Sequence, residues 1–100
     1  MIKLAVLLKR KRGMSFEDFD AYWDGPHGDL VVGIAEFMRH VRRYTQSHIV
    51  DPDYAGEGMA WKRADFDGIA EVWFDDINVM TKAFNEPRFV ELVGADDANF

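Results

Sequence analysis

Tyr44, Gln46 and His48 occupy every second position of Tyr44-Thr45-Gln46-Ser47-His48-Ile49-Val50. In an extended strand that spacing puts a phenol, an amide and an imidazole on one face, each about 6–7 Å from the next. An imidazole with a pKa near its unperturbed ~6.5 takes or gives a proton at physiological pH. A phenol is a poor base but a good hydrogen-bond donor to a developing enolate or phenolate. The row suggests His48 as base, Tyr44 as oxyanion donor and Gln46 as the orienting group. Together they would enolise or dehydrate a carbonyl compound without a cofactor. The plainer reading is that these side chains satisfy hydrogen bonds at a strand edge or a subunit seam, and both readings stand at this stage.

Other residues extend the candidate set. His27 follows Gly25-Pro26, where a backbone break aims a side chain at a cavity; it serves equally well as a surface or capping histidine. Gln46, Trp23, Trp61 and Trp73 form the expected substrate-binding set. Glu71 alternates with apolar neighbours, so it is partly buried; it either assists the proton transfer, if the fold brings it to the row, or forms a structural pair with Lys3 or an arginine. Metal chemistry has little support. His27, His40 and His48 form no H-x-x-x-H or H-x-H pair, and His40 and His48 would stand about 26 Å apart on an extended strand. A haem with one axial histidine is the remaining metal alternative. No phosphate loop or G-x-G-x-x-G fingerprint occurs, so the expectation is no cofactor.

Composition bounds the rest. One hundred residues make a single domain, 1–100, with 48% hydrophobic and 14% aromatic residues, enough for a thin core. The net charge of −6 and a pI near 4.9 disfavour nucleic acid and anionic membranes as partners. The absence of cysteine removes disulfides, thiolate metal sites and a cysteine nucleophile. Basic residues follow the first apolar run rather than precede it, the reverse of a signal peptide, and no run reaches the ~20 apolar residues of a membrane span. A cytoplasmic location is expected.

These candidates need elements to hold them. Ile2 to Lys9 alternates as a strand, and Lys9 to Arg12, closed by Gly13, reads as a turn: a solvated one, or an anion-attracting rim. Ser15 and Asp18 form a capping box for a helix striped by Phe16, Phe19 and Trp23. Gly25-Pro26 ends or sharply bends it, and a second helical piece runs to Met38. A strand is expected from Arg39 to Val50. Residues 51–66 then read as a loop covering an apolar pocket with Tyr54, Met59 and Trp61, or as disorder. Asp67 to Phe74 alternates as a third strand. Asp75 or Asp76 caps a helix with Ile77, Met80 and Phe84, Asn85 breaks it, and Pro87 opens a last helix closed by Gly94.

Strand, helix, strand, strand, helix is the ferredoxin-like α+β order, βαββα(β) with its final strand not apparent. Helices cover one sheet face only. The other face carries Leu7 and Trp73 and needs a partner, so a homodimer through the sheet faces is expected.

Four stretches resemble the EthD family in the correct order. They are Tyr22-Trp23 with His27-Gly28 and Leu30-Val31; Tyr44-Thr45-Gln46-Ser47-His48; Asp67-Gly68-Ile69-Ala70-Glu71-Val72-Trp73-Phe74; and Pro87 through Asp96-Asp97-Ala98-Asn99-Phe100. The resemblance implies a dimeric α+β barrel with a pocket in each protomer between sheet and helices. It also implies a hydrophobic small-molecule ligand. The family is associated with ethyl tert-butyl ether degradation and, in fungal members, with polyketide tailoring. Asp29 stands where the family often has proline. The family's last strand has no counterpart before Phe100, so either the sequence is a trimmed piece, or a sheet edge is open or completed by another chain. Two functions follow. One is a cofactor-independent dehydratase, cyclase or isomerase acting on a hydrophobic carbonyl or aromatic intermediate. The alternative is a non-catalytic ligand-binding or accessory dimer supporting an oxidative degradation pathway.

Overall fold

The computed structural model describes residues 1–54, 56–60 and 63–100. Strands β1 (Ile2–Leu8), β2 (Arg43–His48) and β3 (Gly68–Phe74) form an antiparallel sheet in the order β1-β3-β2. The register places Leu4, Val72 and Tyr44 in one row across the sheet, Val6, Ala70 and Gln46 in the next, and Leu8, Gly68 and His48 in the third. All nine therefore share one face, and helices cover it: α1 (Phe16–Tyr22), α2 (Gly28–Val32), α3 (Ala35–Met38), α4 (Ile77–Phe84) and α5 (Pro87–Asp96). The fold is α+β and ferredoxin-like, as expected.

Local chemistry sets the element ends. The Ser15 side chain accepts from the Asp18 amide at 3.1 Å, and Asp76 accepts from the Val79 amide at 2.8 Å, satisfying donors that a helix start leaves orphaned. Pro87 opens α5, where its missing N–H costs nothing. Phe37 and Phe74, 1% and 0% exposed, anchor the core at one end of the sheet. Burying a side chain of this size stabilises the fold by about 1.5–3 kcal/mol. Phe19, Trp23 and Phe100 form a second cluster at the other end.

The strands end one or two residues short of the expected Lys9 and Val50 and start one past Asp67, and three further boundaries differ from the sequence expectation. Gly25-Pro26 does not end the helix. Pro26 has no N–H, so the backbone widens into a π turn over Trp23–His27, in which the Gly28 amide reaches back to the Trp23 carbonyl, and α2 follows directly. β2 starts at Arg43 rather than Arg39, because His40 and Val41 close turns onto the Phe37 and Met38 carbonyls. Gly94 does not close the last helix, which runs on to Asp96 and a 3₁₀ turn over Asp97–Asn99.

The opposite sheet face has no covering layer among the described residues. Lys3 Nζ lies 2.7 Å from Glu71 Oε2, the pairing expected for that glutamate. Lys3 and Arg43 also flank the Trp73 ring, 5.5 and 5.0 Å from its centroid. Leu7 and Ile69 stand exposed beside them. No helix among the described residues is long and apolar enough to cross a membrane.

Candidate functional site

The π turn does more than pass over a proline. Its Trp23 carbonyl accepts from Gln46 Nε2 at 3.0 Å, which ties the turn to β2. A carbonyl only accepts, so the Gln46 atom facing it is the amide nitrogen and the amide oxygen faces the other way. That nitrogen also donates to the Tyr44 hydroxyl at 2.9 Å. Gln46 Oε1 lies 2.9 Å from His48 Nε2, and His48 Nδ1 lies 2.6 Å from Asp20 Oδ1. Tyr44, Gln46, His48 and Asp20 form one hydrogen-bonded chain along β2.

That chain fixes His48. Both ring nitrogens face oxygens that only accept, with Asp24 Oδ1 a further 3.5 Å from Nε2. Both nitrogens are thus engaged within the chain, and neither is free toward the apolar cavity. The Trp23 ring covers the imidazole, its centroid 4.6 Å away. The expected row of Tyr44, Gln46 and His48 is present on one face, but it does not open on one hollow. Of the three, only Tyr44 lines the large apolar cavity.

That cavity, about 380 Å³, lies between the sheet and the helices. It would hold roughly a dozen water molecules at ~30 Å³ each, within the range of small-molecule sites. Phe37, Phe84, Phe89 and Phe100 supply aromatic wall, and Trp23 lines it too. Its ionisable lining is His27, Tyr44 and Asp97.

His27 is 8% exposed and leaves the π turn beside this cavity. Its Nδ1 donates to Asp96 Oδ2 at 2.8 Å. Because the carboxylate only accepts, a neutral ring carries its proton on Nδ1 and its lone pair on Nε2. The contact to Asp96 is the one hydrogen bond the ring makes among the described residues. The other Asp96 oxygen accepts from the Tyr22 hydroxyl at 2.5 Å and from Asn99 Nδ2 at 3.1 Å. Burial acts to raise the Asp96 carboxyl pKa, but the hydrogen bonds from Tyr22, His27 and Asn99 outweigh it and hold it below the ordinary range. Phe100 closes over the His27 ring at 4.5 Å, and its carbonyl accepts from the Lys11 amide at 2.7 Å. Tyr44 sits on the same cavity. Burial pushes its phenol pKa up, against a smaller opposing effect of the Gln46 hydrogen bond, so the hydroxyl keeps its proton.

Trp73 lies on the uncovered sheet face with Lys3 and Arg43, away from the cavity. Trp61 lies outside the described residues. Tyr54 and Met59 do not cover the apolar cavity; both are exposed, and Tyr54 borders a separate polar depression with Lys9, Arg10 and Arg63. Two residues of the basic turn are paired within the chain, Lys9 with Asp65 at 2.6 Å and Arg10 with the buried Asp67 at 3.1 Å. Asp96 and Tyr22 were not singled out as site residues, although both fall in the stretches that carry the family resemblance; polar residues at positions 96, 97 and 99, at the end of α5 and just past it, were the other sequence signal. No group of three or more metal-ligating side chains occurs among the described residues.

A family model for the EthD domain matches residues 11–100. No curated protein and no solved structure matches the chain. The family match spans the π turn, all three residues of the β2 row and the Asp96 segment, which places the chain in the EthD domain family.

Proposed function

We propose that the cavity receives a hydrophobic carbonyl or aromatic compound and that the protein moves a proton on it without a cofactor. His27 Nε2 takes the proton from a carbon next to the carbonyl. Asp96 holds the ring in the required tautomer and stabilises the imidazolium that forms, while Tyr22 and Asn99 hold Asp96. The Tyr44 hydroxyl donates to the oxygen that becomes an enolate, and Gln46 fixes that hydroxyl from behind. The proton then returns to the same carbon or to another atom of the ligand, so the protein ends as it began. His48 keeps β2 against α1 rather than reacting.

One observation carries this reading: a buried histidine, oriented by a carboxylate through Nδ1, lines an apolar cavity. We propose further that a second copy covers the sheet face bearing Leu7, Ile69 and Trp73, giving the dimeric barrel. The test is exchange of the α-protons of 2-tetralone in D2O, followed by mass spectrometry. The wild-type protein should accelerate exchange well above buffer, and His27→Gln should lose the acceleration while still binding the ketone. Binding without accelerated exchange in the wild type would overturn the enzymatic reading and leave a ligand-carrying or accessory dimer.

A further inference from the structure

The charge around the cavity is one-sided. Among the described residues no lysine or arginine lines it, and Asp97 is the one lining carboxylate. Val6, Val90 and Gly94 line it and are exposed, so the mouth opens between β1 and α5. Asp97, also exposed, stands at that mouth as the C-cap of α5, where the carbonyl end of a ten-residue helix adds partial negative charge. Behind it lies Asp96, and among the described lining residues the one group able to offset these charges, His27, is committed to Asp96 through Nδ1. An entering anion would shed water into an apolar space with no cation to receive it.

We propose that the cavity admits neutral hydrophobic ligands and rejects carboxylates of the same shape, with Asp97 as the specificity-determining residue at the mouth. This rests on the cavity being the ligand site. Burial raises the Asp97 carboxyl pKa, the nearby His27 lowers it, and Asp96 raises it further; the net direction is upward. Measurements at about pH 8 keep both Asp97 and a test carboxylate ionised.

The experiment compares 2-naphthamide with 2-naphthoate, two near-isosteric probes that differ in charge, by isothermal titration calorimetry. In the wild type the amide should bind on the order of tenfold more tightly, as expected for like charges a few ångströms apart near the protein surface, added to the cost of desolvating the carboxylate. Asp97→Asn should narrow that gap to about threefold or less. Gly94→Leu should weaken both probes together, because a Cβ at Gly94 meets nothing within 4 Å and its side chain fills the mouth without disturbing packing. Equal binding of the two probes by the wild type, or an unchanged gap in Asp97→Asn, overturns the specificity inference while leaving the cavity as the site. Failure of the wild type to bind either probe, or indifference of both to Gly94→Leu, overturns the cavity itself.

Discussion

Replacing Asp96 by asparagine probes the network on which the proposed chemistry depends. Three donors converge on this carboxylate: His27 Nδ1 at 2.8 Å, the Tyr22 hydroxyl at 2.5 Å and Asn99 Nδ2 at 3.1 Å. Asparagine keeps one acceptor, which Tyr22 and Asn99 continue to use. Its amide then faces His27 Nδ1, so either two donors collide or the ring changes tautomer and presents a protonated Nε2 to the cavity. Hydrogen bonds to charged groups contribute about 1.5–3 kcal/mol each, and only part of that is retained, so Asp96→Asn should cost about 2 kcal/mol. In a domain of this size that lowers Tm by roughly 8–16 °C. α-Proton exchange should fall as far as in His27→Gln, because the lone pair no longer faces the ligand. Tyr22→Phe should couple to Asp96→Asn, with the double variant less destabilised than the sum of the singles. A Tm within about two degrees of wild type, with exchange intact, would show that Asp96 neither holds His27 nor sets its tautomer.

Other outcomes follow from the same geometry. Gly68→Ala should destabilise by about 1–3 kcal/mol in a thermal melt, since its Cβ would fall 2.3 Å from the buried Trp23 ring; an unchanged Tm would mean the ring is not seated there. His48→Ala should cost about 1–2 kcal/mol through loss of its bonds to Asp20 and Gln46, yet leave exchange within a few-fold of wild type. Loss of exchange in a well-folded His48→Ala would return the role of base to that residue. Because Asp96 has a lowered carboxyl pKa, the folded state binds fewer protons there than the unfolded chain. Its contribution is present above pH ~3.9 and is lost as pH falls through the lower folded value, so acid unfolding should be shallower in Asp96→Asn. Ile69→Asp on the uncovered sheet face should convert a dimer to a monomer in sedimentation velocity; a wild type that sediments as a monomer removes the barrel.

The sheet was legible because its two faces meet different surroundings. Gly68, Ala70, Val72 and Phe74 alternate with Ile69, Glu71 and Trp73, and that alternation alone gives both the strand and its buried side. Ser15, Asp76 and Pro87 announced helix starts for the same reason: a helix terminus needs particular chemistry. Gly25-Pro26 misled because local rules treat a missing donor as a break. In the fold the turn instead widens: the Gly28 amide reaches back five residues to the Trp23 carbonyl, which Gln46 from β2 also holds, and α2 follows without a break. The β2 row was correctly placed on one face, but sequence could not tell that acceptors would occupy both nitrogens of its histidine. The His27–Asp96 pair was out of reach, since its members stand 69 residues apart and no periodicity links them.

The most direct test of the central claim is the protonation of the two His27 ring nitrogens by long-range proton–nitrogen NMR, with and without 2-tetralone. The account predicts hydrogen on Nδ1, a lone pair on Nε2, and an Nε2 resonance that moves when the ketone binds. A protonated Nε2 in the neutral ring, or a His27 signal indifferent to the ketone while that of His48 shifts, would contradict it.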